Sequence, residues 1–213
     1  MTDTFDPAAA LAQAIAQCPL VAILRGVAPN EVNSIADAIV DAGFSMIEIP
    51  LNSPDPLISI AQLATRYPKH ILIGAGTVLR PADVDAVRET GARLIVSPNS
   101  APPVIRATVA ARMISLPGYF TPSEGFAALD AGAHGLKLFP AEGASYAYLQ
   151  AQRAVLPKSI PVFAVGGVGV ENLAHWLAAG ATGAGLGSAL YKPGLTAAEV
   201  GLRAAAFVAA LGR

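Results

Sequence analysis

Cysteine and charge are both scarce in this sequence of 213 residues. The chain has one cysteine, Cys18, so it can form no internal disulfide, and we expect it in the reducing cytoplasm. Only 14% of the residues are charged, and 14 Lys and Arg against 15 Asp and Glu leave a formal net charge of −1. This balance excludes the basic surface of a nucleic-acid-binding protein and the polybasic patch of a membrane-recruited one.

Membrane spans and metal-ligand clusters are missing as well. The one uncharged stretch of membrane length, residues 172–191, contains Asn172, His175 and four glycines. We therefore interpret it as loops around a strand and expect no membrane partner. The three histidines form no closely spaced pair, so the sequence predicts no metal site and no cofactor.

What the sequence does contain is an alternation of short apolar runs with helical patterns. The runs are rich in Val, Ile or Leu, which is typical of parallel strands buried on both faces. They recur every 20 to 27 residues, and a helical pattern follows each one. The eight runs are Leu20–Leu24, Ser45–Ile49, Ile71–Ala75, Arg93–Ser97, Met113–Pro117, His134–Phe139, Pro161–Val165 and Gly183–Gly187.

Several helix ends can be predicted from local sequence. Ser53 before Pro54 predicts a helix start, because serine caps and proline fits the first turn. Thr121 with Glu124 and Thr196 with Glu199 have the spacing of capping boxes. Glycines that stop helices just before a strand are predicted at Gly43, Gly91, Gly132 and Gly180.

Eight strand–helix units in about 200 residues predict an α/β fold, a closed (β/α)8 TIM barrel. We expect one domain over residues 1–213, with a helical arm over residues 1–18 whose helix, residues 8–17, closes the bottom of the barrel. An open doubly wound sheet is the alternative. That fold would carry a glycine-rich turn after the first strand, and Arg25-Gly26-Val27 is not that pattern.

Lys137 and Glu48 each stand as a lone charge within an apolar strand. If Lys137 points into the barrel, loss of hydration lowers its pKa and makes it a nucleophile toward carbonyl groups. Glu48 could then move protons for that reaction. Two structural interpretations stay open at this point: a lysine whose long stem reaches solvent, and a buried ion pair between the two residues.

Other polar groups follow the remaining strands, where a barrel carries its function. Arg25 could bind a carboxylate with its fork of donors, or pair with an acidic side chain of the protein. Thr77 could meet a ligand through its hydroxyl, or cap the helix that follows. Backbone N–H groups that cradle phosphate, or merely tight turns, are predicted at Gly166, Gly167, Gly187 and Ser188.

Six motifs in order resemble the 2-keto-3-deoxy-6-phosphosugar-acid aldolases, the KDPG and KHG class I aldolase family. The resemblance covers nearly the whole chain, from about residue 19 to residue 212. The motifs are Val-Ala-Ile-Leu-Arg25-Gly, Ile-Glu48-Ile-Pro-Leu-Asn-Ser-Pro, Ile-Gly-Ala-Gly-Thr77-Val-Leu, Leu-Lys137-Leu-Phe-Pro, Phe-Ala-Val-Gly166-Gly167-Val and Gly-Leu-Gly187-Ser188-Ala-Leu-Tyr.

The resemblance implies a role for each of these residues. Lys137 would form a Schiff base with the keto carbon, and Glu48 would be the general acid and base. Arg25 and Thr77 would bind the pyruvoyl end of the substrate. The substrate would be a phosphorylated keto-acid sugar that yields pyruvate and glyceraldehyde 3-phosphate, and the enzyme would be a homotrimer. The phosphate would be held by Gly166, Gly167, Gly187 and Ser188.

Two positions bear on the sugar. Asn52 with Ser53, and Val165, resemble the branch that acts on the galactonate-derived substrate, whereas the gluconate branch usually has Arg-Thr and Thr there. We therefore expect cleavage of the galactonate-derived acid in galactonate catabolism, with its C4 epimer as the alternative. Glu142 departs from this pattern, because Pro-Ala-Glu resembles the gluconate branch. A phosphosugar epimerase and a non-catalytic phosphosugar-binding barrel are the alternatives outside the aldolases.

Overall fold

A computed structural model describes residues 5–212, so residues 1–4 of the predicted arm and residue 213 lie outside the described part. In this part, short parallel strands alternate with helices, as expected. The strands are β1 Leu20–Ile23, β2 Met46–Pro50, β3 Leu72–Gly76, β4 Leu94–Val96, β5 Ile114–Leu116, β6 Gly118–Tyr119, β7 Leu136–Leu138, β8 Val162–Val165 and β9 Gly183–Leu186. The α-helices are α1 Pro7–Gln17, α2 Val32–Asp41, α3 Pro56–Arg66, α4 Pro81–Glu89, α5 Pro102–Ala110, α6 Pro122–Asp130, α7 Tyr146–Val155, α8 Leu173–Ala178 and α9 Ala197–Ala209.

The sheet is a (β/α)8-type barrel in which β5 and β6 together take the place of the fifth strand. The strand order is β5-β4-β3-β2-β1-β9-β8-β7-β6, and all the pairs are parallel. The predicted run Met113–Pro117 is divided because Pro117 has no N–H to donate to a ladder. Its carbonyl still accepts from the N–H of Lys137 at 2.9 Å, while the Leu116 carbonyl accepts from Ser97 at 3.3 Å on the other side. Residues 114–119 therefore close the barrel.

The barrel interior is a packed apolar core, and α1 covers its lower end. Leu11 and Ala14 of α1 belong to the same buried cluster as the inward side chains of the strands. The Ser45 hydroxyl, just before β2, donates to the Ala14 carbonyl at 3.0 Å. The helix therefore closes the bottom of the barrel, as the sequence predicts. The strand residues of this cluster are Val21, Ile23, Met46, Leu72, Leu94, Val96, Ile114, Leu116, Phe163 and Val165.

Local helix signals are confirmed with one exception. Both capping boxes form, at Thr121 with Glu124 and at Thr196 with Glu199. The predicted cap at Ser53 is wrong, because α3 begins at Pro56 after Asp55. The Ser53 hydroxyl instead accepts from the N–H of Gly26 at 2.9 Å, which ties the loop after β2 to the loop after β1. The four predicted helix-stopping glycines all have positive φ.

Candidate active site

Lys137 lies inside the barrel on β7 and is 7% exposed. Its Nζ is 4.6 Å from the centroid of the Phe139 ring, a cation–π distance. Burial lowers the pKa of Lys137 because the ammonium has lost its hydration, and nearby Arg25 lowers it further, while Glu48 acts in the opposite direction. The ammonium is largely removed from solvent, so this part of the barrel increases the neutral, nucleophilic fraction of the amine.

Glu48 lies on β2 and is only 1% exposed. Its Oε2 has no hydrogen-bond partner among the described residues. Burial raises the pKa of Glu48 to about 7, against the opposing effects of Lys137 and Arg25. Gly76 provides the space for this carboxylate, because a Cβ at Gly76 would collide with Oε2. With a pKa near neutrality, one carboxyl group can both donate and accept a proton.

Arg25 follows β1 and is positioned by groups that follow the next two strands. Its Nη1 donates to Asn52 Oδ1 at 2.6 Å, and its Nη2 is 3.5 Å from Thr77 Oγ1. Thr77 has a φ of 57°, so the chain turns sharply as it leaves β3. Since α4 is capped at Arg80, Thr77 is not its cap. The guanidinium is thus fixed by neutral partners, and its charge remains available to an anion.

A cavity of about 400 Å³ connects Arg25 and Lys137 with the glycine-rich loops. Arg25, Lys137 and Phe139 line it together with the loops that follow β8 and β9. Gly166 and Gly167 have φ values of 103° and 67°, a conformation that favours glycine and leaves their backbone open to a ligand. The other predicted residues that line this cavity are Val165, Gly187 and Ser188.

Residues 11–206 match the family model described as KDPG and KHG aldolase. The chain belongs to this aldolase family. It is 50% identical to the 2-dehydro-3-deoxy-6-phosphogalactonate aldolase of Escherichia coli K12 over 90% of this chain and 94% of that one. It superimposes on the native KDPGal structure with a TM-score of 0.91 and 49% identity, covering 92% and 95% of the two chains. Identity to the 2-dehydro-3-deoxy-phosphogluconate aldolase of Pseudomonas aeruginosa is 36%, over 68% and 65% of the two chains.

Family membership confirms that the chain is an aldolase, a carbon–carbon lyase, as the motifs predict. In this aldolase, Lys137 and Arg25 share one cavity, while Glu48 is buried nearby and interacts electrostatically with both. Asn52 and Thr77 contact Arg25. The structure therefore brings the predicted site residues together at the carboxyl ends of the strands.

Two charged residues that line the cavity were not predicted to belong to the site. Lys192 lines the cavity from the loop after β9. Glu171 also lines it, just before α8. Glu142, the departure toward the gluconate branch, lies against Gly167, where an added Cβ would be 2.8 Å from the Glu142 Cβ. The only local signal for Lys192 is its position four residues after Ser188, in the same loop.

Within the described residues, no group of three or more His, Cys, Asp or Glu side chains could hold a metal ion. None of the helices found between residues 5 and 212 combines the length and apolar composition that crossing a bilayer requires.

Proposed function

We propose that this aldolase is a class I enzyme that cleaves 2-dehydro-3-deoxy-6-phosphogalactonate to pyruvate and D-glyceraldehyde 3-phosphate. The observation that carries the proposal is a lysine buried inside the barrel, in electrostatic contact with a carboxyl group whose pKa is near 7. Such a pair favours both requirements of imine catalysis, an amine that gives up its proton more readily and a group that exchanges protons near neutral pH.

Bond cleavage follows from imine formation. The neutral amine of Lys137 attacks C2 of the keto acid, and loss of water leaves a protonated imine. Glu48 accepts the proton of the C4 hydroxyl, directly or through water, and the C3–C4 electron pair moves to the imine as an enamine. Glyceraldehyde 3-phosphate leaves. Protonation of the enamine at C3 and hydrolysis of the imine then release pyruvate and regenerate Lys137.

The two ends of the substrate bind different groups in this proposal. Arg25 binds the carboxylate of the pyruvoyl end, and Thr77 supports Arg25 and the proton-transfer step. The phosphate is bound by the backbone and the hydroxyl of the loops after β8 and β9, where glycine permits close approach. The residues assigned to the phosphate are Gly166, Gly167, Gly187 and Ser188.

The galactonate-derived substrate is favoured over its C4 epimer by two observations. Identity is 50% to the phosphogalactonate aldolase and 36% to the phosphogluconate aldolase. Asn52 accepts a hydrogen bond from Arg25, and Val165 lines the cavity, so both proposed specificity positions lie at the site. Family membership also favours cleavage over the epimerase and non-catalytic alternatives.

The first experiment is reduction with borohydride in the presence of pyruvate, followed by intact-mass analysis and peptide mapping. We expect one reduced pyruvate adduct, on Lys137. Lys137→Ala should abolish both the adduct and cleavage while the protein stays folded, whereas Lys158→Ala, at the other end of the barrel, should retain both. Normal turnover by Lys137→Ala would refute the imine mechanism. Parallel assays with the two C4 epimers test the substrate assignment.

Assembly and location belong to the same proposal. We propose a homotrimer, as the family resemblance implies. Leu57 and Ile58 on α3 are exposed apolar side chains that line a surface cavity and are suited to a subunit contact. Light scattering should give three times the mass of the chain, and Ile58→Asp should weaken assembly. We further propose that residues 1–213 form one domain that acts in galactonate degradation in the cytoplasm, where a chain with one cysteine is suited to reducing conditions.

A further inference from the structure

Lys192 lies in the loop that follows β9 and lines the cavity that Lys137 and Arg25 also line. Gly187 and Ser188 belong to the same loop and line the same cavity. The chain has few lysines with which to bind an anion, and among the described residues only Lys137, Arg25 and Lys192 contribute positive charge to this cavity. In the proposed function, Lys137 forms the imine and Arg25 binds the carboxylate of the substrate.

The backbone on both sides of Lys192 is firmly held. The Tyr191 N–H donates to the Gly187 carbonyl at 2.9 Å, and its hydroxyl donates to Glu31 Oε1 at 3.0 Å. Tyr191 is 2% exposed, and burial raises its pKa, so the phenol remains a neutral donor. On the other side, Pro193 packs so closely on Gly26 that an added Cβ would be 2.8 Å from Pro193 Cγ. Pro193 therefore holds the backbone next to Lys192 against Gly26, which follows Arg25 in the sequence.

The same cavity is also lined by one carboxylate, whose negative charge opposes the positive charge of Lys192. Glu171 lines it from the turn between β8 and α8, next to the backbone of Gly169. A phosphate bound by the glycine loops would be attracted by Lys192 and repelled by Glu171, since all of these groups share one cavity. Neutral sugar hydroxyl groups would be affected much less by either residue.

We propose that Lys192 is a specificity-determining residue that binds the phosphate of the substrate, and that Glu171 opposes it and limits the affinity for phosphate. This inference rests on the proposed function, because it assigns the phosphate to the loops after β8 and β9. It predicts that the two side chains affect phosphorylated substrates selectively and in opposite directions.

The test measures aldol addition of pyruvate to D-glyceraldehyde 3-phosphate and, separately, to D-glyceraldehyde. The ratio of the two kcat/KM values reports the preference for phosphate. In Lys192→Met we expect this ratio to fall about 10- to 100-fold, the range of a charge-assisted hydrogen bond. Lys192→Arg should retain most of the preference. Glu171→Gln should raise the ratio about 2- to 5-fold, as expected for a partly screened charge.

Two controls separate this inference from the proposed function. Lys158→Met removes a lysine whose Nζ donates to the Arg153 carbonyl far from the cavity, and it should leave the ratio unchanged. Trapping of the pyruvate adduct should be unaffected in Lys192→Met, since the imine does not involve the phosphate. An unchanged ratio with normal trapping would overturn the role of Lys192 alone. Absence of the adduct in the unsubstituted protein would overturn the proposed function, and this inference with it.

Discussion

Glu48→Gln should change how the stability of the fold depends on pH. Burial raises the pKa of Glu48 from 4.5 to about 7, so the folded chain holds this proton more tightly than the unfolded chain. Between these two values the unfolded chain binds fewer protons. The free energy of unfolding therefore falls as pH rises through this window, and it levels off above pH 7. The variant lacks this titration.

The magnitude follows from the two pKa values. One pKa unit corresponds to about 1.4 kcal/mol, so ionisation of Glu48 should lower the free energy of unfolding by between about 2 and 3 kcal/mol from pH 5 to pH 8. Glu48 also raises the pKa of Lys137, so the variant lowers that pKa further. A buried lysine with a lowered pKa stabilises the fold increasingly as pH rises, so this second effect has the same sign.

The assay is urea unfolding of both proteins at pH 5 and at pH 8. The unsubstituted protein should lose at least about 2 kcal/mol relative to Glu48→Gln between these two values. Glu89→Gln removes an exposed carboxylate of α4 and controls for the change in net charge. A difference below about 1 kcal/mol, or a relative gain for the unsubstituted protein at pH 8, would refute the assignment of a raised pKa to Glu48.

Three further substitutions test the site and its scaffold. Gly76→Ala places a Cβ against Glu48 Oε2, so urea unfolding should show a loss of about 1 to 3 kcal/mol and a coupled pyruvate assay should show a lower kcat. Asn52→Ala removes the 2.6 Å hydrogen bond from Arg25, and KM for the keto acid should rise about 3- to 10-fold. Thr196→Ala breaks the capping box of α9, and thermal unfolding should report a loss of about 1 kcal/mol with unchanged activity.

Each of these variants has a matched control. Gly201→Ala adds a Cβ 3.4 Å from Ala38 Cβ, which is an ordinary contact, so this variant should be tolerated. If Gly76→Ala were tolerated equally well, the proposed collision with Glu48 Oε2 would be contradicted. Asn52→Gln keeps a neutral amide acceptor for Arg25 and should preserve KM better than Asn52→Ala. Thr196→Ser keeps the cap, so a loss as large as that of Thr196→Ala would contradict the assigned role of the hydroxyl.

Much of the scaffold could be predicted from sequence because its signals are local. Apolar runs at regular spacing define the strands, and the capping boxes at Thr121 and Thr196 satisfy backbone donors only three residues away. Prediction failed where a partner lies far along the chain. Ser53 carries the chemistry of a cap, but its hydroxyl is occupied by the N–H of Gly26, 27 residues away. Likewise, the single predicted strand Met113–Pro117 is divided at Pro117 into β5 and β6, which pair with β4 and β7 from other segments of the chain.

The sequence by itself determined which reactive groups exist and that Lys137 and Glu48 belong to strands rather than to loops. Only the tertiary structure decided their protonation behaviour. The pKa of Glu48 depends on its burial beside Gly76, Lys137 and Arg25, which come from three other strands or strand ends. Likewise, only the folded structure shows that Lys192 lines the cavity, because closure of the barrel brings its loop there. Burial and electrostatic interaction depend on distances in space, and closure of the barrel sets those distances.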